Sequence, residues 1–109
     1  SDIFLLKTTI DGKVFDDLLI ITSEINGKIK GSLTVPGVFS SAIEKGERFI
    51  RWSGDGYKFS VTARENNVEY IVDYLIYLGD YNSEFNMLKK DGKLIGTIKV
   101  IPLKVVENI

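Results

Sequence analysis

Apolar and polar residues alternate along most of this chain, the period of a strand with one buried face. Two stretches show it cleanly. Ile29, Gly31, Leu33 and Val35 face one way and Lys28, Lys30, Ser32 and Thr34 the other. Tyr57, Phe59, Val61 and Ala63 likewise oppose Lys58, Ser60, Thr62 and Arg64. Turn signals separate such runs: Asp11-Gly12, Asn26-Gly27, Gly54-Asp55-Gly56, Glu65-Asn66-Asn67 and Asp91-Gly92, with a loop over 79–82. The pattern predicts strands over residues 3–10, 14–25, 28–35, 48–53, 57–64, 68–78, 83–89 and 94–103. One interval departs from it. Pro36-Gly37 breaks the alternation, and Ser41 and Glu44 have capping-box spacing before Gly46. That spacing predicts one short helical turn over 40–45, the only helix expected.

Residues 26–35 read NGKIKGSLTV and residues 91–100 read DGKLIGTIKV, identical at four positions. Each copy begins with a dipeptide suited to a type I′ hairpin turn. Each then carries a glycine inside its strand, which marks a bend or a close backbone approach. The repeat therefore predicts that antiparallel strands curve at equivalent places in the two halves.

Eight strands joined mostly by tight turns favour sequential antiparallel pairing. Closing such a meander removes its edges. The expected fold is all-β, an antiparallel up-and-down barrel of about eight strands with one short helical turn, in a single domain over 1–109. A two-sheet β-sandwich is the alternative, because it shares the alternation. The DGKLxGTIxV hairpin, the meander and the single helix resemble the small calycin-type barrels, the class that contains streptavidin-like and lipocalin-like proteins. The likeness covers most of the chain as a strand pattern and about ten residues as a motif. The tryptophan-bearing first strand of lipocalins is missing, since the single tryptophan is Trp52. No biotin-site residues match one by one, so no family residue is carried over. The resemblance implies a barrel that binds a small molecule or packs against copies of itself.

Composition narrows the chemistry. The 109 residues hold 14 basic and 15 acidic side chains and no histidine or cysteine. The balance, with no basic stripe, argues against nucleic-acid binding; Lys89, Lys90 and Lys93 read as a solvated hairpin end. The missing residue types remove the commonest general base, the thiol nucleophile, disulfides and zinc-thiolate sites. No apolar run reaches the roughly 18 residues of a membrane helix. No signal peptide is visible, and the sequence opens at Ser1, which is compatible with the cytoplasm or with export after removal of a leader. Asp16 and Asp17 are adjacent carboxylates, but neighbours on a strand point to opposite faces. Asp55 lacks the convergent oxygens of a calcium loop. Gly54-Asp55-Gly56 precedes no helix that would cradle phosphate. Asp73, mid-strand among apolar neighbours, is the carboxylate that stands out: it reads as solvent-facing or paired with a cross-strand lysine or arginine, with a ligand or interface role as the alternative. These features assign no catalytic residue, metal or cofactor, and the expected function is binding without turnover.

Two surfaces carry that expectation. The first is the barrel interior, where the alternation places Tyr57, Phe59, Tyr70, Val72, Tyr74 and Phe85 with Leu33, Val61, Ile98 and Val100. So many rings predict a filled interior, whereas Gly31, Ala63 and Gly96 leave room for a small apolar ligand. Tyr57, Tyr70 and Tyr74 are the candidate ligand contacts, because buried phenols need partners. Trp52, beside Arg51, is the candidate at the rim. The second surface is an outer patch of Ile71, Leu75, Tyr77, Leu88, Ile95 and Ile101, expected to be an interface with a protein partner or in a homodimer. The alternative is a solid barrel acting through its outer face or through the loops 37–40 and 79–82, each of which carries an aromatic residue.

Overall fold

A computed structural model describes residues 1–105, except for the side chains of residues 80 and 81. Among the described residues nine strands form: β1 (Asp2–Ile10), β2 (Lys13–Ile25), β3 (Lys28–Val35), β4 (Phe39–Ala42), β5 (Glu44–Arg51), β6 (Gly54–Glu65), β7 (Val68–Tyr77), β8 (Met87–Lys90) and β9 (Lys93–Lys104). All pairings are antiparallel, and β1 pairs with both β2 and β9. The ring closes through β2 on β3, so the fold is an eight-stranded antiparallel barrel with β4 as an extra strand. No helix among the described residues is long and apolar enough to cross a membrane.

The dipeptide turns fall where the sequence puts them. Asp11-Gly12, Asn26-Gly27, Asn66-Asn67 and Asp91-Gly92 have positive φ at both positions, as type I′ hairpins require. The two repeat copies become β3 and β9, which flank the β1–β2 hairpin on either side. Their strand glycines do equivalent work. A Cβ on Gly31 would collide with the Ile20 carbonyl of β2, and one on Gly96 with the Thr9 carbonyl of β1. Strand pairing shifts register close to both, between Ile21 and Ser23 and between Leu88 and Lys89.

Three local expectations are corrected. Residues 40–45 form no helical turn. Val38 N–H donates to the Val35 carbonyl at 2.9 Å, and Gly37 has φ +76°, a type II turn around Pro36-Gly37. The chain returns along β3 as β4, and Phe39 and Ile43 pack on the core. A helix of six residues has little stability of its own, whereas β4 gains a paired neighbour. Ser41 Oγ accordingly donates to the Ala42 carbonyl rather than capping a helix.

The next hairpin tip is Trp52-Ser53, because Arg51 pairs with Gly54 and β6 already includes Gly54-Asp55-Gly56. Gly56 lies so close to the Ile76 carbonyl and the Phe49 ring that no side chain would fit there.

The helical turn of this fold is a 3₁₀ turn at Asp80–Phe85, within the segment expected to be loop and strand. It shortens β8 to four residues and resets its phase. Asn86, 4% exposed, then spans the gap that β8 leaves. Its Oδ1 accepts from the Tyr77 N–H at 2.7 Å and its Nδ2 donates to the Ile98 carbonyl at 2.9 Å, joining β7 to β9. Phe85 is thereby exposed rather than internal. It meets the edge of Tyr77 on the outer wall, where Phe49 also packs on Tyr77 at a ring-centroid distance of 5.1 Å. Tyr81, expected as an exposed aromatic of this loop, lies outside the described side chains.

Candidate functional site

The barrel interior is filled at one end and open at the other. The filled part holds Phe4, Leu6, Leu19, Leu33, Tyr57 and Ile76, all nearly inaccessible. Phe4 and Tyr57 meet edge to face, 5.8 Å apart. The Arg48 guanidinium stands over Tyr57 at 5.8 Å and bonds Asp55 and Glu24. Toward the end formed by the β1–β2, β3–β4, β6–β7 and β8–β9 turns, the interior opens into a cavity of about 690 Å³. That volume lies within the range of small-molecule sites.

Alternation builds the walls. Ile10, Phe15, Val35, Phe39, Val72 and Ile95 supply much of the apolar surface, and Ala63 leaves space that a larger side chain would occupy. At the rim Lys90 lies 4.1 Å above the Tyr70 ring and 3.9 Å from Glu65. Asp11 and Lys13 bracket the mouth at the β1–β2 turn.

The deepest lining residue on β2 is Asp17. It shares the inward phase of Phe15, Leu19 and Ile21 and is only 2% exposed. Asp17 Oδ2 accepts from Thr8 Oγ1 and Tyr74 Oη, each at 3.3 Å. Asp17 Oδ1 is buried and has no hydrogen-bond partner among the described residues. Burial drives the Asp17 pKa up from 3.8 to about 6; Thr8 and Tyr74 pull it down, and the neighbouring Asp16 charge raises it. Tyr74, stacked on Phe59 at 4.8 Å, is held protonated by burial and by Asp17. Asp16 does point the opposite way, into a 2.9 Å ion pair with Lys7.

Of the expected ligand contacts, Tyr70 and Tyr74 stand in the cavity wall. Tyr57 lies in the filled part, and Trp52 is fully exposed at the tip of the opposite end. Of the expected rings, Tyr57 and Phe59 fill the core while Tyr70 and Tyr74 line the cavity; of the small residues, Ala63 lines it, whereas Gly31 and Gly96 abut neighbouring strands. Asp17 and Thr8 were missed as site residues. The signal was present, since Asp17 falls in phase with three apolar residues on β2. Asp73, the carboxylate singled out instead, is half-buried on the outer wall and accepts from Ser60 Oγ at 2.6 Å.

The outer patch is smaller than expected. Leu88 is 1% exposed, because the phase reset after the 3₁₀ turn brings it inward opposite Tyr74. Ile95 sits at the β8–β9 register shift and packs on the core. Tyr77 faces outward but is covered by Phe49 and Phe85. Ile71, Leu75 and Ile101 remain accessible, interspersed with Asp73, Lys89 and Lys99. Among the described residues, no cluster of three or more His, Cys, Asp or Glu side chains is placed to hold a metal ion.

Comparison with known protein families, curated proteins and solved structures finds no match.

Proposed function

We propose that this protein is a non-enzymatic binding protein of calycin type that takes a small, largely apolar ligand into the open end of its barrel. One observation carries this reading: a carboxyl oxygen without a partner among the described residues, Asp17 Oδ1, at the floor of a cavity of about 690 Å³. Burying such a group without compensation costs stability, and a ligand with a complementary polar atom would offset that cost. The apolar walls would supply affinity and the polar floor orientation, the usual division of labour in small-molecule sites.

Two measurements test it. Native mass spectrometry of gently purified protein should show a small adduct that leaves on denaturation. Titration with the neutral fluorophore N-phenylnaphthylamine should show one bound dye per chain, weakened in Ala63→Phe, which places a ring in the cavity. Absence of both adduct and dye binding would overturn the reading. A second reading, contact with a protein partner or another copy, is favoured by the hairpin tip, where Trp52 is 101% and Ile50 77% exposed. Light scattering at tens of micromolar tests it for self-association: a strictly monomeric species would count against a homodimer.

A further inference from the structure

We infer that the ligand is a monocationic amphiphile, an amine with an apolar body, whose ammonium group pairs with Asp17 at the cavity floor. This rests on the cavity being the binding site. Three features of the floor select the head group.

First, the floor offers acceptors. Tyr74 donates its proton to Asp17 Oδ2, and the Thr8 hydroxyl is shared between that oxygen and the Phe15 carbonyl. What remains for a ligand is lone pairs, above all those of Asp17 Oδ1. A ligand head must therefore donate hydrogen bonds. Oδ1 is closed to solvent, and the soft terminal torsion of an aspartate allows it to turn toward the cavity.

Second, among the described residues no cation answers this carboxylate. The charge acting most on it is that of Asp16, which repels. The other charged groups facing the cavity lie at the mouth: Asp11 and Lys13 on the β1–β2 turn, Glu65 on β6 and Lys90 on β8. Lys90 is already engaged with Glu65 and the Tyr70 ring. The lining thus carries three carboxylates against two ammonium groups, a deficit of one positive charge. A monocation would balance it; an alkyl carboxylate would deepen it.

Third, Phe15 and Phe39 line the same space beside Tyr70 and Tyr74, whose rings already engage Lys90 and Phe59; aromatic surroundings of this kind favour a cation over a neutral isostere.

The test compares three head groups on one chain: octylamine, octanol and octanoate, each displacing N-phenylnaphthylamine from the unaltered protein at pH 7.5. Octylamine should bind at least about tenfold more tightly than the other two, since charge-assisted hydrogen bonds are the strong ones. That preference should disappear in Asp17→Asn. It should also weaken below pH 6, where binding the ammonium requires Asp17 to give up a proton. Equal or tighter binding of octanol or octanoate would overturn the amine assignment while leaving the cavity reading intact. Failure of the dye and all three ligands to bind would overturn both. If Asp17→Asn fails to fold, the head-group comparison on the unaltered protein still decides.

Discussion

Replacing Asp17 with asparagine should make the protein more stable, and only at neutral to alkaline pH. The carboxyl titrates at about 6 in the folded protein against an ordinary value of 3.8. Below 3.8 both folded and unfolded chains hold the proton, and the group contributes nothing to the difference. Between 3.8 and 6 the folded state holds it and the unfolded state releases it, so stability falls as pH rises. Above 6 the folded protein contains an ionised, desolvated carboxylate, and the loss is complete. At about 1.4 kcal/mol for each pH unit, the ceiling on that loss is roughly 3 kcal/mol. Asparagine keeps the shape and removes the charge, although its amide protons lack acceptors at the Oδ1 position. A gain of about 1–3 kcal/mol at pH 8 is expected, shrinking toward zero at pH 4. Urea denaturation of both proteins at pH 4, 6 and 8 measures it. Taking the difference between them removes shared titrations such as that of Glu47, whose pKa Lys28 lowers and whose effect has the opposite sign. Asp16→Asn should change stability far less: its exposed ion pair with Lys7 is worth less than about 1 kcal/mol, and its repulsion is the smallest cause of the raised Asp17 pKa. A pH-independent difference for Asp17→Asn, or a less stable variant at pH 8, would refute the reasoning.

Three further outcomes test the architecture around the site. Asn86→Ala leaves the buried Tyr77 N–H and Ile98 carbonyl unpaired and should cost about 2–4 kcal/mol in the same denaturation assay; a loss under about 0.5 kcal/mol would mean that the bridge between β7 and β9 is not formed. Gly31→Ala forces a methyl against the Ile20 carbonyl and should cost about 3 kcal/mol. Gly12→Ala, with open space but φ +76°, should cost only about 1–2 kcal/mol, and equal losses would contradict the close approach at Gly31. Trp52 fluorescence should be that of a solvated indole and should not shift when a ligand enters the open end, because Trp52 stands at the opposite end of the barrel; a blue shift on binding would place the ligand elsewhere.

Strand existence and facing were legible because a period of two is imposed by the backbone itself. The inward set on β6, Tyr57 to Ala63, is buried as the alternation requires. The type I′ dipeptides fixed the hairpins for a similarly local reason. The misplaced features were those decided by distant parts of the chain. Ser41 and Glu44 have the spacing of a helix cap, but pairing with β3 and burial of Phe39 and Ile43 outweigh a local signal of this size. The phase of β8 depends on how many residues the 3₁₀ turn consumes, so Phe85 and Leu88 exchanged sides. The open half of the interior depends on where Ala63 falls relative to the rings, and alternation carries no information about depth.

Read as a pair, the adjacent carboxylates Asp16 and Asp17 do nothing, and that reading hides Asp17. Weighed separately, they divide. Asp16 belongs to a solvated face with Lys7, while Asp17 occupies a position that Phe15, Leu19 and Ile21 mark as internal. A leucine or asparagine there would avoid the desolvation penalty. Ordinary selection for stability does not favour an ionisable group at such a site, and strongly perturbed carboxyls lining a cavity are enriched at functional positions. The stability test and the ligand test are therefore linked. If Asp17→Asn stabilises the protein at pH 8 and abolishes the preference for octylamine, the same desolvated charge accounts for both. If it stabilises without changing ligand preference, the carboxylate is a cost that the cavity does not explain, and the site must be sought elsewhere on the barrel, beginning with the exposed tip at Trp52.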